Sequence, residues 1–323
     1  MNDTTALLAW GADCLIANGH PTQSAPENVV STPWSTMLRF RTSNGDFYLK
    51  QTPPSISTEP QIIKLLADKF HASVPVVIDS NDKLHCFLMR DAGQVLRATL
   101  KTKFDVELLC RAIEEYAALQ RSTENDVNAL IRLGVPDWRL DKLPELYDQL
   151  ISKVYFLKAD SITDEELQNL HDLRPHVDAQ CKLLASYEIP ETIGIPDFND
   201  NNTLLDHNTQ KLTFIDWGES SITHPFFSLY NCLEQAIKHH GVKDGDKVYS
   251  KLQDACLTSW LESSTKKQLL DAFNLSKQLW HIYGALGCYR LMVSVDLQAL
   301  NKLYADKPNR LATALRKYIA CCT

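Results

Sequence analysis

Strand-type alternation dominates the chain up to residue 90 and helical periodicity most of the remainder, and this segregation narrows the possible folds more than any single motif. Met37-Leu38-Arg39-Phe40-Arg41 alternates, turns at Ser43-Asn44-Gly45-Asp46 and returns as Phe47-Tyr48-Leu49-Lys50. Asn-Gly between alternating runs is a strong hairpin signal. Phe47 and Leu49 then share one face, Tyr48 and Lys50 the other. Pro53 and Pro54 stop the strand, and Glu59–Phe70 reads as a helix with Ile62, Ile63, Leu65 and Leu66 on its apolar side. An opening helix is expected over Asp3–Asn18, ending near Gly19. A second hairpin is expected from Val74–Ile78 and Leu84–Met89 around a Ser80–Lys83 break.

Past Arg90-Asp91-Ala92-Gly93, Leu108, Leu109, Ala112, Ile113, Tyr116 and Leu119 trace an amphipathic face. Further helical patterns run through Leu143–Leu157, Asp164–Tyr187, Phe227–His239, Val248–Ser263 and Lys266–Val295. Strands first and helices afterwards predict an α+β fold rather than a doubly wound sheet. The expected division is an N-terminal lobe over residues 1–90, with the opening helix, a sheet and one helix, and a helical C-terminal lobe over residues 91–323.

One stretch of the helical part departs from this pattern. In Ile189–Phe227, Asp197 and Asn202 are separated by four residues, and Thr203-Leu204-Leu205 and Leu212–Ile215 flank a polar break at His207–Gln210. Two short apolar runs around such a break read as a hairpin. A turn centred near Asn208 sets Asn202 nearly opposite Asp216 at the open end. An amide oxygen beside a carboxylate suits a hard cation such as Mg²⁺, and Asp197 is near enough to act there as a base. A bare D-x-x-x-x-N is a weak signal, since Asp–Asn clusters are mostly loops; the hairpin and Asp216 strengthen it.

D-x-x-x-x-N followed by a strand pair and Ile215-Asp216-Trp217-Gly218 resembles the catalytic core of the aminoglycoside phosphotransferases, relatives of the protein kinases. The run Trp217–Leu229 and Ile189-Pro190-Glu191-Thr192 resemble one branch of that family. The usual loop reads H-G-D-x-H-x-x-N. Here Ile195 and Asn199 replace the histidines, Pro196 the glycine of that pattern, and Asn201 a second glycine common in the family.

The resemblance implies a two-lobed protein-kinase-like fold and assigns roles. Asp197 would accept or orient the substrate hydroxyl proton, and Asn202 and Asp216 would hold Mg²⁺ bridging the phosphates of ATP. Lys50, closing its strand, would contact those phosphates and be held by Glu59; alone, a strand lysine is usually a solvated surface group. Ser31–Thr36 would cover the phosphates, with Ser35 and Thr36 as donors, although a polar turn anchored by Trp34 reads equally well. Met89 falls where the hinge would meet adenine and reads equally well as core. Asp91 reads as a turn residue, Glu219 as a turn cap, and His224-Pro225-Phe226-Phe227 as a packing corner rather than a catalytic histidine. The missing imidazoles raise the question of what braces the Asp197 loop.

Composition sets further limits. A net charge of −7 gives no basic footprint for nucleic acid. The nine cysteines include no C-x-x-C pair, which reads as reduced thiols in a cytoplasm. No apolar run reaches membrane-spanning length, and the start of the chain lacks a basic signal-peptide region. The expectation is an ATP-dependent kinase of a hydroxyl on a small polar, cationic-leaning molecule. Its rivals are a non-catalytic nucleotide-binding or interaction protein on the same fold, and a helix-rich structural protein whose Asp/Asn cluster is only a loop.

Overall fold

The computed structural model describes residues 4–296, 298 and 309–322. Five strands, β1 (Glu27–Thr32), β2 (Ser35–Thr42), β3 (Gly45–Gln51), β4 (Val77–Asn81) and β5 (Cys86–Arg90), form an antiparallel sheet in the order β1-β2-β3-β5-β4. The Asn44-Gly45 signal is realised: Thr42 pairs with Gly45, whose φ of +101° suits glycine. β3 lies between β2 and β5, so Lys50 has Met37 on one side and Phe87 on the other.

Strand alternation fixes the core. Leu38, Phe40, Phe47, Leu49 and Leu88 cluster with Leu7 and Leu15 of the helix Thr4–Ala17. Burying side chains of this size contributes roughly 1.5–3 kcal/mol each. Gly11 lets the helix approach closely, because a Cβ there would fall 2.6 Å from Phe40 Cζ. Tyr48 and Lys50 occupy alternate positions, and Lys50 meets Glu59, the first residue of the helix Glu59–Phe70.

Some boundaries differ from the sequence expectation. Pairing of Ser31 with Thr36 and Thr32 with Ser35 leaves only Pro33-Trp34 for the β1–β2 turn. Ser35 and Thr36 therefore begin β2 rather than lying within the loop itself; β-branched Thr32 and Thr36 favour the extended conformation. β4 starts at Val77 rather than Val74, as Pro75 cannot donate to a ladder.

Short strands β6 (Gln94–Val95), β7 (Thr192–Gly194), β8 (Thr203–Leu205), β9 (Leu212–Phe214) and β10 (Ser221–Thr223) complete the set, with β6-β8-β9 and β10-β7 as small sheets. The expected hairpin is thus β8–β9. Its turn is closed by Asp206 N–H to Lys211 O at 2.9 Å and by the Asp206 carboxylate accepting from Asn208 N–H at 2.8 Å.

Helices account for most of the remainder. Val106–Thr123 is capped by the Asp105 carboxylate, which accepts from Glu107 and Leu108 N–H, and buries Leu109, Ile113 and Tyr116. The pattern expected as one helix over 164–187 is two, Asp164–Asp172 and Arg174–Ala185, divided where Pro175 enters a first turn. That over 143–157 divides into Leu143–Ile151 and Val154–Ala159. Two compact units emerge, one mainly of Met1–Gln94 and Leu204–Gly218, the other mainly of Val95–Thr203 and Glu219–Arg290. The hairpin β8–β9 thus groups mostly with the N-terminal sheet. No described helix is long and apolar enough to cross a membrane.

Candidate active site

The candidate residues divide between the two units. In the first, Lys50 Nζ lies 2.8 Å from Glu59 Oε2 and 2.5 Å from Asp216 Oδ1. Lys50 and Glu59 are buried, whereas the Asp216 side chain is 35% exposed. Burial pulls the Lys50 ammonium down, but the facing Asp216 and Glu59 carboxylates outweigh it and hold the pKa above its ordinary value. Lys50 is therefore a fixed positive charge at neutral pH.

The Asp-Trp-Gly segment is locked to this pair. Trp217 N–H donates to Glu59 Oε1 at 3.1 Å, and its indole N–H donates to Phe214 O at 2.8 Å. A Cβ on Gly218 would lie 3.0 Å from Ile56 O and 3.2 Å from Glu59 Oε2, so the tight approach favours glycine. Asp216 itself has φ +73°, the left-handed region that a non-glycine residue seldom adopts. Such strain persists only where surrounding contacts over-determine it, and the two Trp217 bonds do so here.

In the second unit, three carboxamides gather on Asp197. Asn199 Nδ2 donates to Asp197 Oδ1 at 2.9 Å, Asn231 Nδ2 to the same oxygen at 3.4 Å, and Asn202 Nδ2 to Oδ2 at 3.4 Å. Asn202 Nδ2 also donates to the Asp197 carbonyl at 2.9 Å. Amide donors orient a carboxylate.

The loop is held despite its missing imidazoles. The Ile195 side chain is buried, and its N–H donates to the Tyr116 hydroxyl at 2.9 Å. Phe198 stacks on the Tyr116 ring with centroids 3.6 Å apart and planes within 7°. A tyrosine from the helix Val106–Thr123 thus supports both flanks of Asp197. Arg97, Asp200 and His240 support it further.

The structure therefore brings Lys50 together with Glu59 and Asp216, and Asp197 together with Asn202. Met89 is buried in β5, paired with Tyr48 and Val77. Asp91 Oδ1 accepts from Gly93 N–H at 3.0 Å, a turn contact. His224 caps the helix Pro225–His240 by accepting from Phe226 N–H, and burial lowers its pKa to about 3, as a packing corner requires. Glu219 lies in a short 3-10 turn, Trp217–Glu219, beside the charge of Arg290. Sequence reading missed Tyr116, Asn231 and Arg97. Tyr116 could be seen only as one apolar member of a helix face, and the other two carry no local pattern.

An antiparallel sheet bearing a buried lysine–glutamate pair, an Asp-Trp-Gly segment, and helices and an Asp–Asn loop in the second unit are features of a protein-kinase-like fold. The sequence model of the phosphotransferase enzyme family matches residues 30–260, and the chain belongs to that family. No curated protein matches it in sequence. Among solved structures, it resembles an ethanolamine kinase of Plasmodium vivax, with TM-score 0.62 and 12% identity over 92% of this chain and 82% of that one. A choline/ethanolamine kinase family protein of Mesorhizobium loti gives 0.58 and 16% over 98% of each chain. A streptomycin–ATP ternary complex of an aminoglycoside phosphotransferase gives 0.56 and 16% over 91% of this chain and 93% of that one. At these identities the likeness concerns the fold.

Proposed function

We propose that the protein transfers the γ-phosphoryl group of ATP to a hydroxyl of a small polar molecule, with amine-bearing acceptors the first to test. The observation that carries this is the Asp197 carboxylate, set by three carboxamides. The family supports phosphotransfer; the neighbour solved with streptomycin and ATP and those titled ethanolamine or choline kinases support ATP and an amine-bearing acceptor.

In this reading residues 1–90 serve the nucleotide, and residues 91–323 supply the acceptor site together with the Asn202 and Asp216 oxygens. Lys50, kept cationic and aimed by Glu59, binds the ATP phosphates. Ser35 and Thr36 at the start of β2 offer further donors, and Met89 flanks the adenine. Asp197 orients the acceptor hydroxyl and receives its proton late, as the oxygen–phosphorus bond forms and ADP departs. Asp216 and Asn202 present hard oxygen donors, which fit Mg²⁺. Among the described residues no cluster of three His, Cys, Asp or Glu side chains forms a metal site by itself. Mg²⁺ bound by such oxygens would supply positive charge that neutralises the ATP phosphates. All nine cysteines are unpaired thiols, which supports a reducing cytoplasm as the compartment.

The test is ADP release from MgATP across amino alcohols and aminoglycosides, with thermal shift by ATP measured in parallel. One acceptor that drives stoichiometric ADP release and gains a phosphate supports the proposal. ATP-induced stabilisation without transfer to any acceptor replaces it with the non-catalytic nucleotide-binding reading.

A further inference from the structure

Arg97, the second residue of the helix Leu96–Thr102, is the centre of a buried polar cluster behind the Asp197 loop. Its Nε and Nη2 lie 3.0 and 2.8 Å from Asp200 Oδ1, and Nη2 also donates to Asn199 Oδ1 at 2.8 Å. Its main-chain N–H donates to Asp200 O at 3.0 Å. The other Asp200 oxygen faces His240 Nε2 at 2.7 Å, and the His240 ring stacks on Phe104 at 5.1 Å and 24°. Side-chain exposures are 16% for Arg97, 3% for Asp200 and 2% for His240.

The chemistry of Asn199 gives this cluster a direction. Guanidinium is a donor with no acceptor, so the Asn199 atom facing it must be oxygen. That oxygen also accepts from Asn201 N–H at 2.7 Å. The amide orientation is thereby fixed, and its NH₂ faces Asp197, donating to the main-chain oxygen at 2.7 Å and to Oδ1 at 2.9 Å. A flipped amide would set its oxygen against a carboxylate. A buried ion pair gives little net stability over well-packed apolar residues, so an orienting role explains its presence here better than stability does.

We infer that Arg97 is a positioning residue for Asp197, acting through Asn199 and Asp200 in place of the two histidines that this loop lacks. The inference rests on the phosphotransferase reading for its kinetic consequence, though not for its structural one. Lysine at 97 would keep a charge for Asp200 but lack the planar fork that also reaches Asn199.

Arg97→Lys and Arg97→Gln are to be made both in the parent and in an Asp197→Asn background, with ADP release from MgATP as the readout. Each should lower kcat of the parent by roughly 10–100-fold, the range met when supporting partners of site residues are removed. KM for ATP should stay within about two-fold. In the Asp197→Asn background the further loss should be about two-fold or less, because residues acting through one another are non-additive. A merely structural arginine would lower both backgrounds alike, and that result, or an unchanged kcat, overturns the inference. A parent that releases no ADP defeats the phosphotransferase reading, and amide hydrogen exchange over residues 195–203 then decides. Faster exchange there in Arg97→Lys at unchanged Tm supports positioning, and identical protection overturns it.

Discussion

Asp216 reaches Lys50 at 2.5 Å from a left-handed backbone conformation, φ +73°. The strained residue is thus the most exposed member of the Lys50–Glu59–Asp216 group. Its neighbours in the chain absorb the constraint, since Trp217 gives its main-chain N–H to Glu59 and its indole N–H to Phe214. The buried pair beneath supplies a fixed charge, and the strained backbone aims a carboxylate.

Asp216→Asn tests that division of labour. Asparagine tolerates left-handed φ, so Tm should move by only a few degrees, about the size expected for a surface-level change. Turnover of MgATP should fall by about 100-fold or more if the carboxylate serves phosphoryl transfer. Thermal denaturation and steady-state kinetics on one preparation decide; parental turnover removes Asp216 from the chemistry.

Lys50→Ala strands the Glu59 carboxylate, of which only 2% is exposed. Removing one partner of a buried pair costs about 3–5 kcal/mol. The double variant Lys50→Met/Glu59→Gln should recover most of that loss, while neither variant regains ATP affinity. Urea titrations and ATP binding measured side by side separate stability from recognition. Parental ATP affinity in the double variant would make Lys50 structural alone.

His224 supplies a pH signature. Its folded pKa is about 3 because burial disfavours the imidazolium, while the unfolded chain titrates near an ordinary value of about 6.5. Below pH 6.5 the unfolded state takes up a proton that the folded state refuses. Stability from this group is therefore present above about pH 6.5 and declines by about 1.4 kcal/mol per pH unit until about pH 3. His224→Asn retains a side-chain cap for the helix Pro225–His240 and should flatten the slope between pH 6 and 4. Identical slopes in urea unfolding would show that His224 is solvated.

Each feature is legible in the sequence to the extent that its signal is local. The Asn44-Gly45 turn and the alternation of Phe47, Leu49 and Lys50 are short-range, so the sheet can be read directly. Lys50 and Glu59 are nine positions apart across two prolines, close enough that strand and helix order imply their meeting, and their atoms lie within 3.0 Å. The backbone of Asp216 carries no residue-type signal, because left-handed φ is ordinarily announced by glycine or asparagine. Arg97 and Asn231 reach the Asp197 loop across 103 and 34 positions, where one charge or amide among many gives no hint of its partner. The loop expected over Ser31–Thr36 is shorter than the sequence suggests, for a different reason. A polar, glycine-free run reads as a loop, although Thr32 and Thr36 favour strand.

Asp197→Asn and Ile195→His bear jointly on whether the altered loop is a working one. Asp197→Asn preserves size and hydrogen bonding but removes the negative charge. Its removal should lower transfer by roughly 100- to 10,000-fold, the usual contribution of a positioned acid or base, with ATP affinity within about two-fold, since Lys50 and the Asp-Trp-Gly segment are untouched. Ile195→His restores the common residue two positions before the aspartate. Yet Ile195 is 1% exposed, and its N–H is already bonded to Tyr116. An imidazole placed in that apolar slot should cost about 1–3 kcal/mol unless it finds a partner, and it should leave kcat no higher than the parent's. Tyr116, the three carboxamides and Arg97 already do what the absent histidine would do. Steady-state kinetics and urea unfolding of both variants settle the matter. Transfer unaffected by Asp197→Asn would dismiss Asp197 as the orienting group. A kcat raised by Ile195→His would mean that the tyrosine and carboxamide contacts leave the loop under-supported.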